Sequence, residues 1–288
     1  MKTAPLMTIT LGILLAAASA AQDESAAEDE GKGWADSAEL SLVATSGNTE
    51  TTTFALKNTL SREWESARFK LDASALRAES DVGGRFAVGT PGDFDVVDPD
   101  AGEITAESYA LQGRFERDIS ERLFWFAGGG WKRNELAGLE NRYHVEAGAG
   151  NVWYESDAGH LRTGYALTAT RQDDVVPGPD DSETFLGVQL SLDCLRQLTS
   201  STSYAGVVVV DENLDDTGDL RVQLDQSLSV AINDRLALKA SLELSYDNQP
   251  ALEALPLFTP EGMPTGAAVL AELDELDSVF KTALVMNF

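Results

Sequence analysis

The sequence predicts an all-β fold: one antiparallel transmembrane β-barrel of about twelve strands. Three observations predict it. From Trp34 onward apolar residues recur at every second position, the period of a strand whose two faces meet different surroundings. Short and long connections alternate along the chain, as in barrels with short periplasmic turns and longer outer loops. After the N-terminus no apolar run approaches the roughly eighteen residues that a membrane helix needs.

Composition narrows the functions. The chain has 288 residues and a net charge of -27, from 48 acids against 21 bases. That balance excludes nucleic acid as a partner, because phosphates call for basic surface. It also argues against docking on anionic lipid through a basic face. The single cysteine, Cys194, rules out an intrachain disulfide and a cysteine-rich zinc site. With His144 and His160 as the only histidines, no metal centre and no cofactor are expected. Cys194 is read as a small apolar residue facing lipid.

Residues 1–20 read as a cleaved signal peptide: Lys2 is a positive n-region, Leu6 to Ala18 a mainly apolar stretch, and Ala18-Ser19-Ala20 a small-x-small cleavage pattern. Gln22-Asp23-Glu24 follow, in place of basic stop-transfer residues, and no cysteine at the cleavage point suggests a lipoprotein. Residues 21–33 are acidic and small, the composition of a disordered periplasmic tail. The barrel is expected over 34–288, in the outer membrane.

The strands follow in order. Leu40, Leu42 and Ala44 alternate with Glu39, Ser41 and Thr45. Phe69, Leu71, Ala73 and Ala75 alternate with Lys70, Asp72 and Ser74, and Tyr109, Leu111 and Phe115 with Gln112, Arg114 and Glu116. Leu161, Tyr165 and Leu167 oppose Arg162 and Thr168; Leu186, Val188, Leu190, Leu192 and Cys194 oppose Gln189, Ser191 and Asp193. The late strands are cleanest: Leu220, Val222, Leu224, Leu228 and Val230 oppose Arg221, Gln223, Asp225 and Ser229, and Leu236, Leu238, Leu242, Leu244 and Tyr246 oppose Lys239, Ser241 and Glu243. Three places break the pattern. Asn58 falls on an apolar face, the segment from Leu123 to Trp131 is apolar on both faces, and residues 204–210 fit either phase.

Short turns fall near Arg62-Glu65, Ser120-Glu121, Asp157-Gly159, Thr199-Ser201 and Asn233-Asp234. Between them lie connections near 46–49, 80–104, 136–141, 172–182, 211–218 and 247–276, rich in Gly, Pro and Asp. Trp34, Trp64, Trp125 and Trp153 lie near the short-turn ends, where an interfacial girdle sits. A soluble β-sandwich or lipocalin-like barrel also alternates. The small, mixed polar face and the restriction of long loops to alternate turns count against it.

Gly33-Trp34, then Ala38-Glu39-Leu40-Ser41-Leu42 leading into Ser46-Gly47-Asn48-Thr49-Glu50, resembles the first hairpin of the YdiY-like family of salt-induced outer-membrane proteins, a bacterial domain of unknown function. Gly128–Gly130 and Gly148–Gly150 resemble that family's glycine-rich middle. The resemblance covers about 34–288 and implies a barrel; it brings no catalytic residues. The acidic loops at 80–104 and 247–276 are longer than the family pattern. At the other end Phe280, Thr282, Leu284, Met286 and Phe288 form one alternating face. It is similar to the terminal signal read by the barrel-assembly machinery, an expected partner during biogenesis beside outer-membrane lipid.

Expected lumen positions are Lys57, Lys70, Asp72, Arg114, Glu116, Lys132, His144, Glu146, Arg162, Arg221, Asp225, Lys239, Glu243 and Lys281. The interleaved signs fit either a narrow wet pore or a charge-paired network filling the lumen, because twelve strands lie between the filled and the open sizes. His144 is the only candidate general base within a strand. It shares the inward face with Glu146, its expected partner, and no G-x-S-x-G elbow is present, so no enzyme is expected. His160, at a short turn, reads as solvated.

Four outer loops are acidic: Asp93, Asp95, Asp98, Asp100 and Glu103; Asp173, Asp174, Asp180 and Asp181; Asp211, Glu212, Asp215, Asp216 and Asp219; Glu272, Asp274, Glu275 and Asp277. Divalent cations are candidate partners there, although no standard calcium-loop spacing is present. Such a surface concentrates cations at the mouth. The expected role is envelope structure or osmotic adaptation with limited, cation-favouring permeation. A general diffusion pore and, further off, a lipid-acting enzyme are the alternatives.

Overall fold

The computed structural model describes residues 33–45, 51–80, 86–90, 93–97, 103–176, 183–258 and 264–288. The signal-peptide and tail readings lie outside these residues, as does the turn at 46–49. The barrel strands are β1 (Trp34–Thr45), β2 (Thr51–Trp64), β3 (Ala67–Ser80), β6 (Glu103–Ser120), β7 (Leu123–Asn134), β8 (Leu139–Ser156), β9 (Gly159–Asp174), β10 (Glu183–Gln197), β11 (Thr202–Asn213), β12 (Leu220–Ala231), β13 (Leu236–Asp247) and β16 (Leu276–Asn287). They close into one barrel in the order β1-β16-β13-β12-β11-β10-β9-β8-β7-β6-β3-β2, every pair antiparallel.

Two long connections are more than loops. The segment at 80–104 holds the hairpin β4 (Phe86–Thr90) and β5 (Asp93–Val97), and that at 247–276 holds β14 (Leu252–Phe258) and β15 (Pro264–Glu272). Their acids and prolines mask short β-forming runs such as Phe94-Asp95-Val96-Val97. At the other end the turns are tight, at Glu65-Ser66, Glu121-Arg122 and Asp157-Ala158. By the usual arrangement this is the periplasmic end. Strands β6 and β8 run to 18 residues each, well beyond the ten or so that cross the hydrocarbon, so they rise past the membrane on the outer side.

Directly opposed residues share a face, so each ladder can be followed around the wall. One inward ladder runs Phe124, Gly150, Gly164, Ser191, Val209, Gln223, Ser245, Asp277. It starts beside a periplasmic turn and ends at the outer end of β16, which is the tilt that closure of a barrel imposes.

Burial is inverted relative to a soluble protein. Leu42, Leu167 and Phe280 are 66%, 68% and 70% exposed, while Glu146 and Arg162 are 4% and 7% exposed. A soluble sandwich hides the first set and hydrates the second, so the apolar face is the lipid face. Cys194 lies on it, opposite Leu161 and Gly206.

The three irregular places resolve physically. Asn58 does face outward, where its Nδ2 donates to Asp36 Oδ1 at 2.7 Å, so two polar groups satisfy each other. Phe124 and Phe126 point inward and are buried, which is why β7 is apolar on both faces. In β11, Val207 and Val209 oppose Asp225 and Gln223 and so face the lumen. The girdle is a chain of rings on the outside: Trp34 on Phe69 at 6.0 Å, Trp64 on Phe115 at 6.3 Å and Phe115 on Trp125 at 5.7 Å. The Arg62 guanidinium sits between Trp34 and Trp64, 5.5 and 5.0 Å from their ring centres.

Candidate functional site

The lumen is the candidate site. The expected lumen residues sit at inward positions of the register, and contacts that skip strands, such as Arg162–Glu116, Arg114–Glu146 and Lys239–Glu39, show that some of their side chains meet inside the barrel. Three groups form.

The first fills the periplasmic half from one side. Inward Phe124 and Phe126 lie against glycines of β8 and β9: a Cβ built on Gly150 would come 2.3 Å from Phe124 Cζ, and one on Gly148 would come 2.9 Å from Phe126 Cζ. Missing side chains on one pair of strands thus make room for the rings of the next. Over the rings lie guanidiniums, Arg114 at 3.6 Å from the centre of Phe126 and Arg162 at 5.3 Å from Phe124. Acids tie the guanidiniums together. Glu116 accepts from Arg114 at 2.9 Å and from Arg162 at 3.0 Å, Glu146 lies 3.5 Å from Arg114, and Glu155 lies 3.8 and 3.5 Å from Arg162 and Arg68. Arg162 is on β9 and Glu116 on β6, so this network arches over β7 and β8.

The second group crosses the outer mouth. Arg142 on β8 and Asp247 on β13, nearly opposite on the circumference, approach to 4.0 Å, and Arg221 lies 4.0 Å from the same carboxylate. Arg221 also pairs with Asp219 and stacks 4.8 Å from the ring centre of Phe185. Asp219, just before β12, is held in place by a hydrogen bond from Asn213 Nδ2 at 3.1 Å. Burial pushes its carboxyl up, but the hydrogen bonds and charge of Arg221 and the Asn213 bond outweigh that and leave it below the usual carboxylate range. A cavity of about 130 Å³ opens here beside Asp174, Glu183, Asp219 and Asp247. Below it Lys132, directly opposite Arg142, faces Asp225, Glu243 and Asp277 across the lumen.

The third group lines the wall opposite the phenylalanines. There Ser201, Ser203, Ser229, Ala231 and Ala237 are small, and a cavity of about 310 Å³ remains at the periplasmic end, bordered by Glu39 and Lys239. Lys239 Nζ donates to Glu39 Oε1 at 2.7 Å, and Lys281 pairs with Glu243 at 2.5 Å; outside this wall, on β3 beside β6, Lys70 pairs with Asp72 at 2.9 Å. The periplasmic half is therefore packed along β6–β9 and left open along β10–β13.

Both histidine readings need correction. Glu146 pairs with Arg114, 3.5 Å away on β6, and not with His144, although the two share the inward face of β8. His144 Cε1 instead lies where a Cβ on Gly130 would stand, 2.7 Å away. His160 is more than solvated, since its Nε2 lies 3.3 Å from Asp193 Oδ2. Among the described residues no three His, Cys, Asp or Glu converge as metal ligands; the side chains at Asp93–Asp100 and Asp180-Asp181 lie outside them.

Sequence reading missed Phe124 and Phe126, for which the signal was present: glycines at alternate positions of β8, opposite an aromatic pair on β7. It also missed Glu39, Arg142, Asp219 and Asp247, whose roles depend on which strands the closure brings together.

An inside-out barrel with an aromatic girdle and a charged lumen defines a transmembrane β-barrel of the outer-membrane type. The chain belongs to the family described as protein of unknown function DUF481, whose model matches residues 38–255. No curated protein matches the sequence. Solved structures similar to it include the NanC porin (10% identity, TM-score 0.44, covering 88% of this chain and 98% of that one). An anion-selective porin from Comamonas acidovorans is 12% identical (TM-score 0.37, 89% and 99% covered). The translocator domain of the autotransporter NalP from Neisseria meningitidis is 9% identical (TM-score 0.41, 88% and 86% covered).

Proposed function

We propose that the barrel is a narrow, cation-favouring diffusion channel that serves osmotic adaptation of the outer membrane, with ion pairs across its lumen that salt loosens. The observation that carries this reading is the Arg142–Asp247 contact at 4.0 Å between nearly opposite strands. A pair reaching across a wet lumen is held by charge, and added salt screens it as the screening length falls from about 30 Å at 0.01 M to about 3 Å at 1 M, shorter than the 4.0 Å contact. Low salt keeps the mouth crossed; high salt frees both side chains. The carboxylates of Asp174, Glu183, Asp219 and Asp247 around the outer cavity raise the local cation concentration.

The test is single-channel conductance of the refolded barrel in planar bilayers across a salt series. Discrete steps that favour cations and grow more steeply than bulk conductivity support the reading. A fully inserted barrel that stays silent at every salt concentration sinks it, and leaves an envelope-structural role. The reading includes no catalysis. Phospholipid hydrolysis by the purified protein that disappears on His144→Ala would contradict that part.

A further inference from the structure

The barrel closes between β1 and β16 through only four rungs, Ser37↔Asn287 to Leu40↔Leu284. The neighbouring seams are much longer: β1 pairs with β2 from Trp34↔Arg62 to Thr45↔Thr51, and β16 with β13 from Leu236↔Met286 to Tyr246↔Leu276. Continued in the same register, Ser41 would face Ala283 and Leu42 would face Thr282. Among the described residues neither rung forms. The outer halves of β1 and β16 therefore each present an unpaired backbone edge to the other, at a depth where the flanking outward residues Leu42 and Phe280 are lipid-exposed. A bare edge in hydrocarbon is unfavourable unless water or another polar group reaches it, and the lumen lies directly behind this one.

We infer that this partial seam is a lateral portal between lumen and outer leaflet, taking a single-chain anionic amphiphile. Its two chemistries are set at right angles to the wall. Leu42 and Phe280 flank the slit on the lipid side and match an acyl chain. Behind the slit, on the lumen side, stand Lys57, Lys239 and Lys281. Lys239 is engaged by Glu39 at 2.7 Å and Lys281 by Glu243 at 2.5 Å. Lys57, opposite Glu39 on β2 and within electrostatic reach of Asp72 and Asp225, is in no ion pair closer than 4.0 Å among the described residues, and is the cation for which a carboxylate or phosphate head would compete. The Lys239–Glu39 pair reaches over β16 from β13 to β1 beside Leu40↔Leu284, the rung where pairing stops, and so latches the closed part of the seam.

The portal is independent of the axial path proposed above, and the experiment separates them. In a Cys194→Ser background, Leu40→Cys with Leu284→Cys marks the paired rung and Leu42→Cys with Thr282→Cys the open one. In lipid vesicles the first pair is expected to oxidise to a disulfide, and the second about tenfold more slowly, for want of disulfide geometry, while a bis-maleimide spacer bridges it readily. A dansyl-labelled fatty acid is expected to bind the unbridged protein, about tenfold more weakly after Lys57→Gln, and to lose binding once the spacer is in place, with ion conductance retained. Equally fast disulfides at both rungs, or probe binding unchanged by the bridge, would overturn the portal. A silent barrel whose probe binding is lost on bridging would support the portal while sinking the channel reading.

Discussion

The Arg114 guanidinium lies 3.6 Å from the ring centre of Phe126, and that ring lies where a side chain on Gly148 would be. Wall, ring and charge are stacked in that order toward the axis. Each layer depends on the one beneath it, which makes the stack testable from its base.

Gly150→Ala places a methyl 2.3 Å from Phe124 Cζ and 2.4 Å from the Thr163 carbonyl oxygen. Overpacking of this kind costs about 1–3 kcal/mol. Part of the loss comes from the ring and part from the backbone, so Phe124→Ala should recover only some of it. Urea unfolding of the two single variants and the double variant in lipid measures the coupling. Strict additivity would mean that ring and glycine do not touch.

Glu116 holds Arg114 and Arg162 together, with side chains 17%, 23% and 8% exposed. Glu116→Gln keeps the shape and leaves two guanidiniums facing each other with one fewer charge between them. Removing one partner from a buried network is worth up to about 3 kcal/mol. The expected outcomes are a lower unfolding midpoint and a shift of reversal potential toward anions. Unchanged selectivity would show that this network lies off the ion path.

Asp219 supplies the acid response of the mouth. Its folded carboxyl titrates below the ordinary value of 3.8, so its stabilising contribution is complete above about pH 4 and is lost as pH falls through the depressed folded value. Asp219→Asn should therefore be less stable than wild type at neutral pH, with the gap closing only below about pH 4. Thermal unfolding in micelles over a pH series reads this directly. A gap that narrows between neutrality and pH 5, far above the folded value, would contradict the assignment.

The girdle gives a prediction about insertion. Arg62 is clasped by Trp34 and Trp64, and each such contact contributes about 0.5–1 kcal/mol at an exposed site. Arg62→Ala should lower stability in bilayers modestly and leave conductance alone, because the residue faces outward. A change in conductance would place Arg62 inside the lumen and would invalidate the register of β2.

Much of this architecture was legible in the sequence. Period-two alternation and alternating connection lengths are direct consequences of a wall between lipid and water, and they located the barrel strands. Same-face pairs two residues apart, such as Lys70–Asp72 and Arg114–Glu116, are also visible locally. What was not visible depends on closure. Arg142 meets Asp247, and Lys239 meets Glu39, only because tilt brings those heights together, and no local pattern encodes tilt. The hairpins β4–β5 and β14–β15 were hidden by acids that look like loop composition. Phe124 and Phe126 defeated the alternation rule because the inner face of β7 meets glycines in place of water.

The measurement that tests the central claim most directly is single-channel conductance of wild type and Arg142→Gln, compared in low and high salt. If the Arg142–Asp247 contact closes the mouth electrostatically, the variant conducts severalfold better than wild type in low salt, and the two converge in high salt as screening removes the pair. Identical conductance at low salt, or a difference that persists undiminished in high salt, would contradict the account.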